Sequence, residues 1–272
     1  MRNLTVKTAV ATATGALALA LVPSSGAGAA DSSLDRRIAD SQVRESSGLA
    51  RSTHKRPLLW THNDSGDGPR LFGISRKGGT RSVLQVQNAS ANDWEDISSG
   101  PNHTLWIGDI GDNGRRRSTI TVYRVKEPKN LKVKSVKATR FDLKYPDGAH
   151  DAEGLMVNPR TGRLFVVSKA SGNGAIYRAP EQLRSGSVNK LTRVTGAPDI
   201  VTAAAFGPDG KRIVIGTYTS VYVYSTMGGK ARKLSKPKTA QGESVTVSRS
   251  GRSIFVGSEG KQSPIYRMAM PR

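Results

Sequence analysis

The stretch DAEGLMVNPRTGRLFVVSK, residues 151–169, contains two short apolar segments separated by a turn. Leu, Met, Val and Phe dominate the two segments, whereas Asn158 and Gly162 between them are typical turn formers. The stretch therefore predicts two antiparallel strands joined by a tight turn. Asp151 and Glu153 stand at the start of the first strand, so two carboxylates lie beside a segment that is expected to be buried.

The same pattern returns along the chain, and a third strand with an aromatic residue follows it each time. The second strands of the five units are LLWTHND (58–64), TLWIGDI (104–110), RLFVVSK (163–169), RIVIGTY (212–218) and SIFVGSE (253–259). Repeats of this kind are typical of β-propeller blades, each of which is a four-stranded antiparallel sheet. The sequence therefore predicts an all-β fold, a single β-propeller of five blades over residues 31–272. A sixth blade stays open, because the second unit is long enough to contain another sheet.

The fourth strands are less clearly marked than the first three. LKVKSVKATRFDLK (131–144) and NKLTRVTG (189–196) are candidates, and the last unit provides only three strands. We expect the N-terminal segment SLDRRIADSQ (33–42) to pair there and close the ring, because closure removes the exposed edges of the sheets.

Residues 1–30 have the features of a secretory signal peptide: Arg2 and Lys7, an apolar stretch over 9–21, and Ala27-Gly28-Ala29 as a cleavage pattern. No later stretch is apolar enough for a transmembrane helix. We therefore expect a secreted, monomeric protein that associates with the cell wall or remains free outside the cell. The chain contains no cysteine, which excludes disulfides and cysteine nucleophiles.

A ring of acidic residues is the main functional prediction. The first strand of a propeller blade lines the central channel, so equivalent residues of different blades meet around the axis. Four glutamates and one threonine are assigned to this position: Glu45, Glu95, Glu153, Glu243 and Thr202. Clustered carboxylates repel one another, and a Ca²⁺ ion would offset that repulsion with ligands of the oxygen type it prefers. Two other interpretations stay open: the glutamates accept backbone N–H bonds between blades, or they take part in catalysis.

A second polar set adds candidates at the mouth of the channel. Besides Thr202 it consists of Asn63, Asp64, Asp109, Asp151 and Glu259, most of which follow a strand. His150 and His62 adjoin carboxylates or amides and are the candidates for a general base. No signature of a serine hydrolase, a zinc protease or a nucleotide-binding loop is present.

The chain is strongly basic, with a formal net charge of +21. Arg115, Arg116 and Arg117 form one concentrated run, and another basic segment extends to Arg140. Charge of this size concerns partners rather than fold. The predicted partner is a small molecule or an anionic envelope ligand, and nucleic acid is not expected. A solvated basic surface that only aids solubility or wall retention stays open as the other interpretation of the charge.

The motifs ESSGLA (45–50), NDWEDISSGPNHTLWIGDIGDN (92–113) and DAEGLMVNPRTGRLFVVSK resemble secreted bacterial β-propellers of the phytase-like, SdiA-regulated and NHL-like group, in particular actinobacterial ones. Related calcium propellers include phytases, lactonases and organophosphate hydrolases, whose carboxylates near the channel hold the metal. The resemblance thus implies metal ligands at Glu45, Glu95, Glu153 and Glu243. The leading hypothesis is a propeller that binds a ligand or Ca²⁺ in its channel. The alternatives are a calcium-dependent hydrolase of esters, lactones or phosphoesters, and an electrostatic binder of anionic polymers.

Overall fold

The computed structural model describes residues 31–54, 57–64 and 66–271, so the predicted signal peptide lies outside the described residues. The strands, in chain order, are β1 (Ser32–Arg37), β2 (Ala50–Arg51), β3 (Leu59–Thr61), β4 (Arg70–Ile74), β5 (Thr80–Gln87), β6 (Trp94–Gly100), β7 (Thr104–Asp109), β8 (Ile120–Lys126), β9 (Ser135–Lys137), β10 (Thr139–Lys144), β11 (Ala152–Val157), β12 (Leu164–Ser168), β13 (Ala175–Arg178), β14 (Val188–Lys190), β15 (Thr192–Gly196), β16 (Val201–Phe206), β17 (Ile213–Thr217), β18 (Ser220–Tyr224), β19 (Ala231–Ser235), β20 (Ser244–Val247), β21 (Ser253–Gly257) and β22 (Pro264–Ala269). The part of the chain that the structure describes has no helix long and apolar enough to cross a membrane.

These strands form five sheets, which confirms the prediction of five blades. Blade 1 has the order β2-β3-β4-β5, blade 2 β6-β7-β8-β10, blade 3 β11-β12-β13-β15, blade 4 β16-β17-β18-β19 and blade 5 β20-β21-β22-β1. Two short strands, β9 and β14, extend the outer edges of blades 1 and 2 in parallel. The two basic segments proposed as fourth strands contain β10 and β15.

The ring is closed by the N-terminal strand. β1 pairs antiparallel with β22, from Ser32 opposite Met268 to Arg37 opposite Pro264, so the last blade takes its outer strand from the start of the domain. On the inner side, β11 packs against β6 and β16, β16 packs against β20, and β2 contacts both β6 and β20. The predicted closing strand is therefore confirmed.

Each pair of neighbouring blades shares a buried hydrophobic layer. Trp60 and Trp94 belong to the layer between blades 1 and 2, and Trp106 and Tyr177 to the layer between blades 2 and 3. Three further layers join blades 3 and 4, blades 4 and 5, and blades 5 and 1. Strands buried on both faces read as nearly continuous apolar runs, which explains why the middle strands were easily found in the sequence.

The five inner segments share one level, which we call the neck and define as Gly48, Asp96, Gly154, Ala203 and Ser244. Four of these five residues have small side chains or none. A Cβ atom at Gly154 would lie 3.0 Å from Cβ of Ala204, on the next blade. On the side of the neck away from the starts of the inner strands, a cavity of ≈ 20 Å³ is lined by residues from all five blades. The axis there has room for about one water molecule.

We expect Gly48→Ala to destabilise the protein by about 2 kcal/mol, the middle of the range for overpacked interiors. A Cβ atom at Gly48 would lie 2.6 Å from the backbone nitrogen of Ile97 and 2.9 Å from the carbonyl carbon of Asp96. Both contacts are to backbone of blade 2, which cannot rotate away as a side chain could. Urea unfolding measures the effect, with Gly68→Ala as the control because a Cβ there meets nothing within 4 Å. Equal stability of the two variants would contradict a tight neck.

Candidate metal centre at the channel mouth

A β-bulge marks the same position in three inner strands. The pairing register shifts between Trp94 and Asp96 in β6, between Ala152 and Gly154 in β11, and between Val201 and Ala203 in β16. The extra residues are therefore Glu95, Glu153 and Thr202. Because a bulge leaves one residue out of the ladder and redirects its side chain, these residues are free to point along the channel. Their predicted equivalence is confirmed.

The structure corrects the position assigned to Glu45. Four blades contain the same backbone hydrogen bond at the mouth: Asp64 N to Glu45 O, Ile110 N to Asp93 O, Lys169 N to Asp151 O and Glu259 N to Gln241 O. Glu45 is thus equivalent to Asp93 and Asp151, and Ser47 takes the place of Glu95. The alignment of the repeats within the chain matched glutamate with glutamate. It overlooked that Ser47-Gly48-Leu49 corresponds to Glu153-Gly154-Leu155. Two acidic levels therefore exist at the mouth instead of one.

Carboxylates from the first three blades converge in two overlapping groups. Asp64, Asp93 and Glu95 each offer an oxygen within 4.8 Å of the others, and so do Glu95, Asp151 and Glu153. Glu95 is common to both groups. It is 3 % exposed, whereas Asp64 and Asp93 are partly exposed, so the first group is open to the mouth. Two predicted ligands, Glu95 and Glu153, are brought together in this way.

Sequence reasoning missed Asp93, although a signal was present. DWE at 93–95 and DAE at 151–153 share an acidic residue two positions before the bulge glutamate. A Cβ atom at Gly111 would lie 2.2 Å from Oε1 of Glu95 and 2.4 Å from Oδ2 of Asp93. The glycine therefore lets the loop after β7 pass directly over the two carboxylates.

The groups at the mouth are electrostatically coupled. Burial, together with the carboxylates of Asp93, Glu45 and Glu243, raises the pKa of Asp64 to about 6. Burial and the same acidic neighbourhood raise the pKa of Glu259 to about 7. Burial and the adjacent Glu153 raise the pKa of Glu95 far above its ordinary value. Concentrated negative charge at the mouth therefore makes proton binding, or cation binding, favourable.

Lysine side chains offset part of this charge on the other side of the mouth. Lys169 donates from Nζ to Oε1 of Glu153 and also lies 5.5 Å from the ring centroid of Tyr218. Glu243 is 3 % exposed; its Oε1 accepts from Nε2 of Gln241, while Oε2 is buried without a partner among the described residues. Lys236 is buried beside it, and burial lowers the pKa of that amine to about 7. Lys169 thus pairs directly with Glu153. Among the described residues, no lysine or arginine forms an ion pair with Asp64, Asp93 or Glu95, although burial raises the pKa of Asp93 and the nearby Arg117 offsets part of that rise.

The remaining mouth residues hold the loops in place. Thr202 is fully buried and donates to Gly242 O, and Oδ1 of Asp151 accepts from Asp112 N. Oδ1 of Asn63 accepts the backbone N–H groups of residues 44 and 45, which orients Glu45. Asp109 forms an ion pair with Arg117 at 2.9 Å. These residues shape the mouth, and only Asp64, Asp151 and Glu259 of the predicted second set add charge to it.

Neither predicted histidine belongs to the two carboxylate groups. His62 is fully buried next to Gly48, its Nδ1 lies 2.9 Å from Asn63 O, and burial lowers its pKa to about 4. His150 is partly exposed and bonds through Nε2 to Asp147 and to the hydroxyl of Tyr177. A neutral, buried imidazole supports the neck, and His150 supports a loop before β11. Their role as general bases stays a prediction.

The carboxylate that links blades by accepting backbone N–H bonds is Asp96, which the sequence analysis did not single out. Asp96 is fully buried at the neck, and its Oδ1 accepts from its neighbour Ile97 N. Its Oδ2 accepts from Leu155 N of blade 3 at 2.9 Å and from Ala204 N of blade 4 at 3.2 Å. One carboxylate thus ties three blades together, because only Asp96 among the neck residues carries a long acceptor.

Arg115, Arg116 and Arg117 lie in the loop after β7, at the acidic mouth. Oδ1 and Oδ2 of Asp112 accept the backbone N–H groups of Arg116 and Arg117, which folds the loop back. Arg117 also donates to Gly111 O. Within the run, Arg117 neutralises part of the acidic mouth through its ion pair with Asp109, whereas Arg115 and Arg116 are exposed.

The sequence matches no protein-family model and no curated protein. Its fold is similar to solved propellers. A gluconolactonase from Xanthomonas campestris is 15 % identical, with a TM-score of 0.51 over 92 % of this chain and 99 % of that one. A PQQ-bound aldose sugar dehydrogenase from Streptomyces coelicolor is 9 % identical, with a TM-score of 0.52 over 88 % and 98 %. A glucose dehydrogenase is 11 % identical, with a TM-score of 0.51 over 89 % and 100 %. At these identities the likeness concerns the propeller fold; membership of the phytase-like or SdiA-regulated group stays a prediction.

Proposed function

We propose that the protein is a metal-dependent hydrolase of small esters or lactones, with its site at the channel mouth. The observation that carries the proposal is the convergence of Asp64, Asp93 and Glu95, whose oxygens lie within 4.8 Å of one another. These three carboxylates face the mouth, and no lysine in the part of the chain that the structure describes forms an ion pair with them as Lys169 does with Glu153. The likeness to a gluconolactonase supports the choice of lactones, although it rests on the fold.

The donor set fits a divalent cation that prefers oxygen. Three carboxylates and the open side of the mouth, which water can reach, suit Ca²⁺ or Mn²⁺ better than a soft metal, because neither cysteine nor histidine is in the group. Oδ1 of Asp64, a member of this group, is buried and has no hydrogen-bond partner among the described residues, which supports a cation as its missing partner. When bound, the cation supplies a Lewis acid that polarises a carbonyl oxygen.

The chain's own residues would perform three further tasks. Glu259 is partly exposed beside Glu243 and Asp64, so it can take the proton from an attacking water. Lys169 holds Glu153 and lies at the same rim, where its ammonium orients an anionic or hydroxylated substrate. Arg117 fixes the loop that crosses the carboxylates. Export and wall association remain proposals based on residues 1–30 and on the basic composition.

Lactone hydrolysis tests the proposal. Acid release from gluconolactone is followed in a pH-stat with EDTA-treated protein, before and after addition of Ca²⁺, Mg²⁺, Mn²⁺ or Zn²⁺. We expect activity with at least one cation, and a loss of 100-fold or more in Glu95→Gln, because one carboxylate is removed from both groups. Glu259→Gln should lower kcat by about 10²- to 10⁴-fold, as expected for a general base.

The control is Glu181→Gln, whose carboxylate is 85 % exposed far from the mouth. It should retain full activity. If the metal-loaded protein and Glu95→Gln hydrolyse gluconolactone equally, the hydrolase proposal is wrong. If cations bind and no ester, lactone or phosphoester is hydrolysed, the protein is a binding module, as the leading sequence hypothesis states.

A further inference from the structure

A second cleft lies between blades 2 and 3, on the face opposite the acidic mouth. β6 begins at the mouth with Trp94 and ends at Gly100, so the following turn, Pro101 and Asn102, is at the other face. The cleft has a volume of ≈ 680 Å³, within the range of about 300–1,000 Å³ for ligand sites. It is separated from the metal group by the length of β7, roughly 17 Å at the usual rise per residue.

Strand geometry places cations along one wall of this cleft. Arg124 and Lys126 are two residues apart on β8, so their side chains leave the same face of blade 2. Lys126 donates from Nζ to Asn102 O at 2.8 Å, which holds the ammonium at the rim. Arg124 lies 5.5 Å from the ring centroid of Trp106 and 5.2 Å from that of Phe141, so its guanidinium is fixed by stacking.

Lys137 adds a third cation, and Glu181 provides the single carboxylate of the lining. Glu181 is 85 % exposed and only 3.4 Å from Arg163, so its charge is turned away towards another cation. The lining is therefore positive in net terms. The remaining polar side chains are two amides and two hydroxyls, from Asn102, Gln182, Thr104 and Thr139, above an apolar floor that includes Trp106. Neutral hydrogen-bonding groups beside cations suit a ligand that carries both hydroxyl and acidic groups.

We propose that this cleft binds an acidic oligosaccharide. Its carboxylates pair with Lys126 and Lys137, its hydroxyl groups bond to the amides of Asn102 and Gln182, and its ring faces lie against the apolar floor. The site is distinct from the metal centre. The anionic partner is thus placed at this cleft and not at Arg115–Arg117, because the loop that carries those arginines lies at the acidic mouth.

The test is isothermal titration of the protein with tetragalacturonate in EDTA, so that no metal ion can bridge the ligand to the mouth. The fully methyl-esterified tetramer serves as the neutral control ligand. We expect saturable binding of the acid and at least tenfold weaker binding of the ester. The double variant Lys126→Glu/Lys137→Glu should lose at least tenfold in affinity, whereas Lys211→Glu/Lys230→Glu, with the same charge change on exposed lysines of blade 4, should lose less than twofold.

Each other outcome overturns the proposal. Absence of binding to the wild-type chain rejects the ligand class. Equal losses in the two double variants show that the overall charge, and not the cleft, attracts the polymer. Equal binding of acid and ester removes the role of the cations. Melting curves of both double variants, which replace exposed side chains, establish that they are folded.

Discussion

Replacing Asp96 with alanine is expected to lower the melting temperature by roughly 10 °C. Its carboxylate accepts N–H groups from three blades and is fully buried. The alanine variant leaves three buried backbone N–H groups without an acceptor, and each buried unsatisfied group typically costs about 1–3 kcal/mol. For domains of this size each kcal/mol corresponds to roughly 2–4 °C. Differential scanning calorimetry measures the shift, and Asp96→Asn, which keeps one acceptor oxygen, should fall between the wild type and the alanine variant.

The matched control is Asp199→Ala. Asp199 is exposed and accepts a single backbone N–H, from Gly172, so the loss should be small. If Asp96→Ala melts at the same temperature as the wild type, the carboxylate is not the fastener of blades 2, 3 and 4. Burial of this one residue at the neck would then need another explanation.

Glu95→Gln is expected to change stability in opposite directions with and without a cation. A carboxylate whose folded pKa is raised contributes stability that is present below its unfolded pKa and lost as pH rises through its folded pKa. In cation-free protein, Asp64 and Glu259 with pKa values of about 6 and 7, and Glu95 above its ordinary range, should make the melting temperature fall between pH 5 and pH 8. Glu95→Gln removes the part of this destabilisation that Glu95 causes. At pH 8 the free energy of unfolding of the variant should therefore exceed that of the wild type by at least about 1.4 kcal/mol, the value of one pKa unit.

With a bound cation the order reverses. A ligand at 100 times its Kd stabilises the folded state by about 2.7 kcal/mol, or roughly 5–10 °C here. The gain should increase with pH, because the ligands must be deprotonated to bind. In Glu95→Gln the gain should disappear, and Glu181→Gln should behave as the wild type. An equal cation-induced shift in wild type and Glu95→Gln would place the cation elsewhere.

Much of the fold could be predicted from the sequence because the blades repeat. The middle strands carry Val, Ile, Leu and Phe on both faces and are bounded by turn residues, so five units and the closing N-terminal strand were visible. The outer strands were harder to find, since β15 is largely exposed and shows no apolar pattern. Edge strands beyond them, such as β9, depend on a parallel pairing that no local pattern indicates.

The site was only partly predictable for a geometric reason. Glu95 and Glu153 were found because a glutamate recurs at the start of an inner strand, and in the structure both occupy its bulge. Glu45 was placed two residues too far along, because glutamate was matched with glutamate and the correspondence of Ser47-Gly48-Leu49 with Glu153-Gly154-Leu155 was overlooked. The bridge between Ser46 and Asn63 belongs to the observed register of blade 1. Asp96 follows Glu95 directly, yet its side chain points to the neck and not to the mouth. A bulge changes the usual alternation of side-chain directions along a strand, and the position of the bulge is set by the fold.

Anomalous diffraction from crystals of the full domain soaked in Mn²⁺ tests the central claim most directly. The account predicts a peak at coordination distance from carboxylate oxygens of Asp64, Asp93 and Glu95, absent from crystals of Glu95→Gln. A native propeller with Mn²⁺ bound only outside the channel mouth, or with no ordered ion at all, would contradict it.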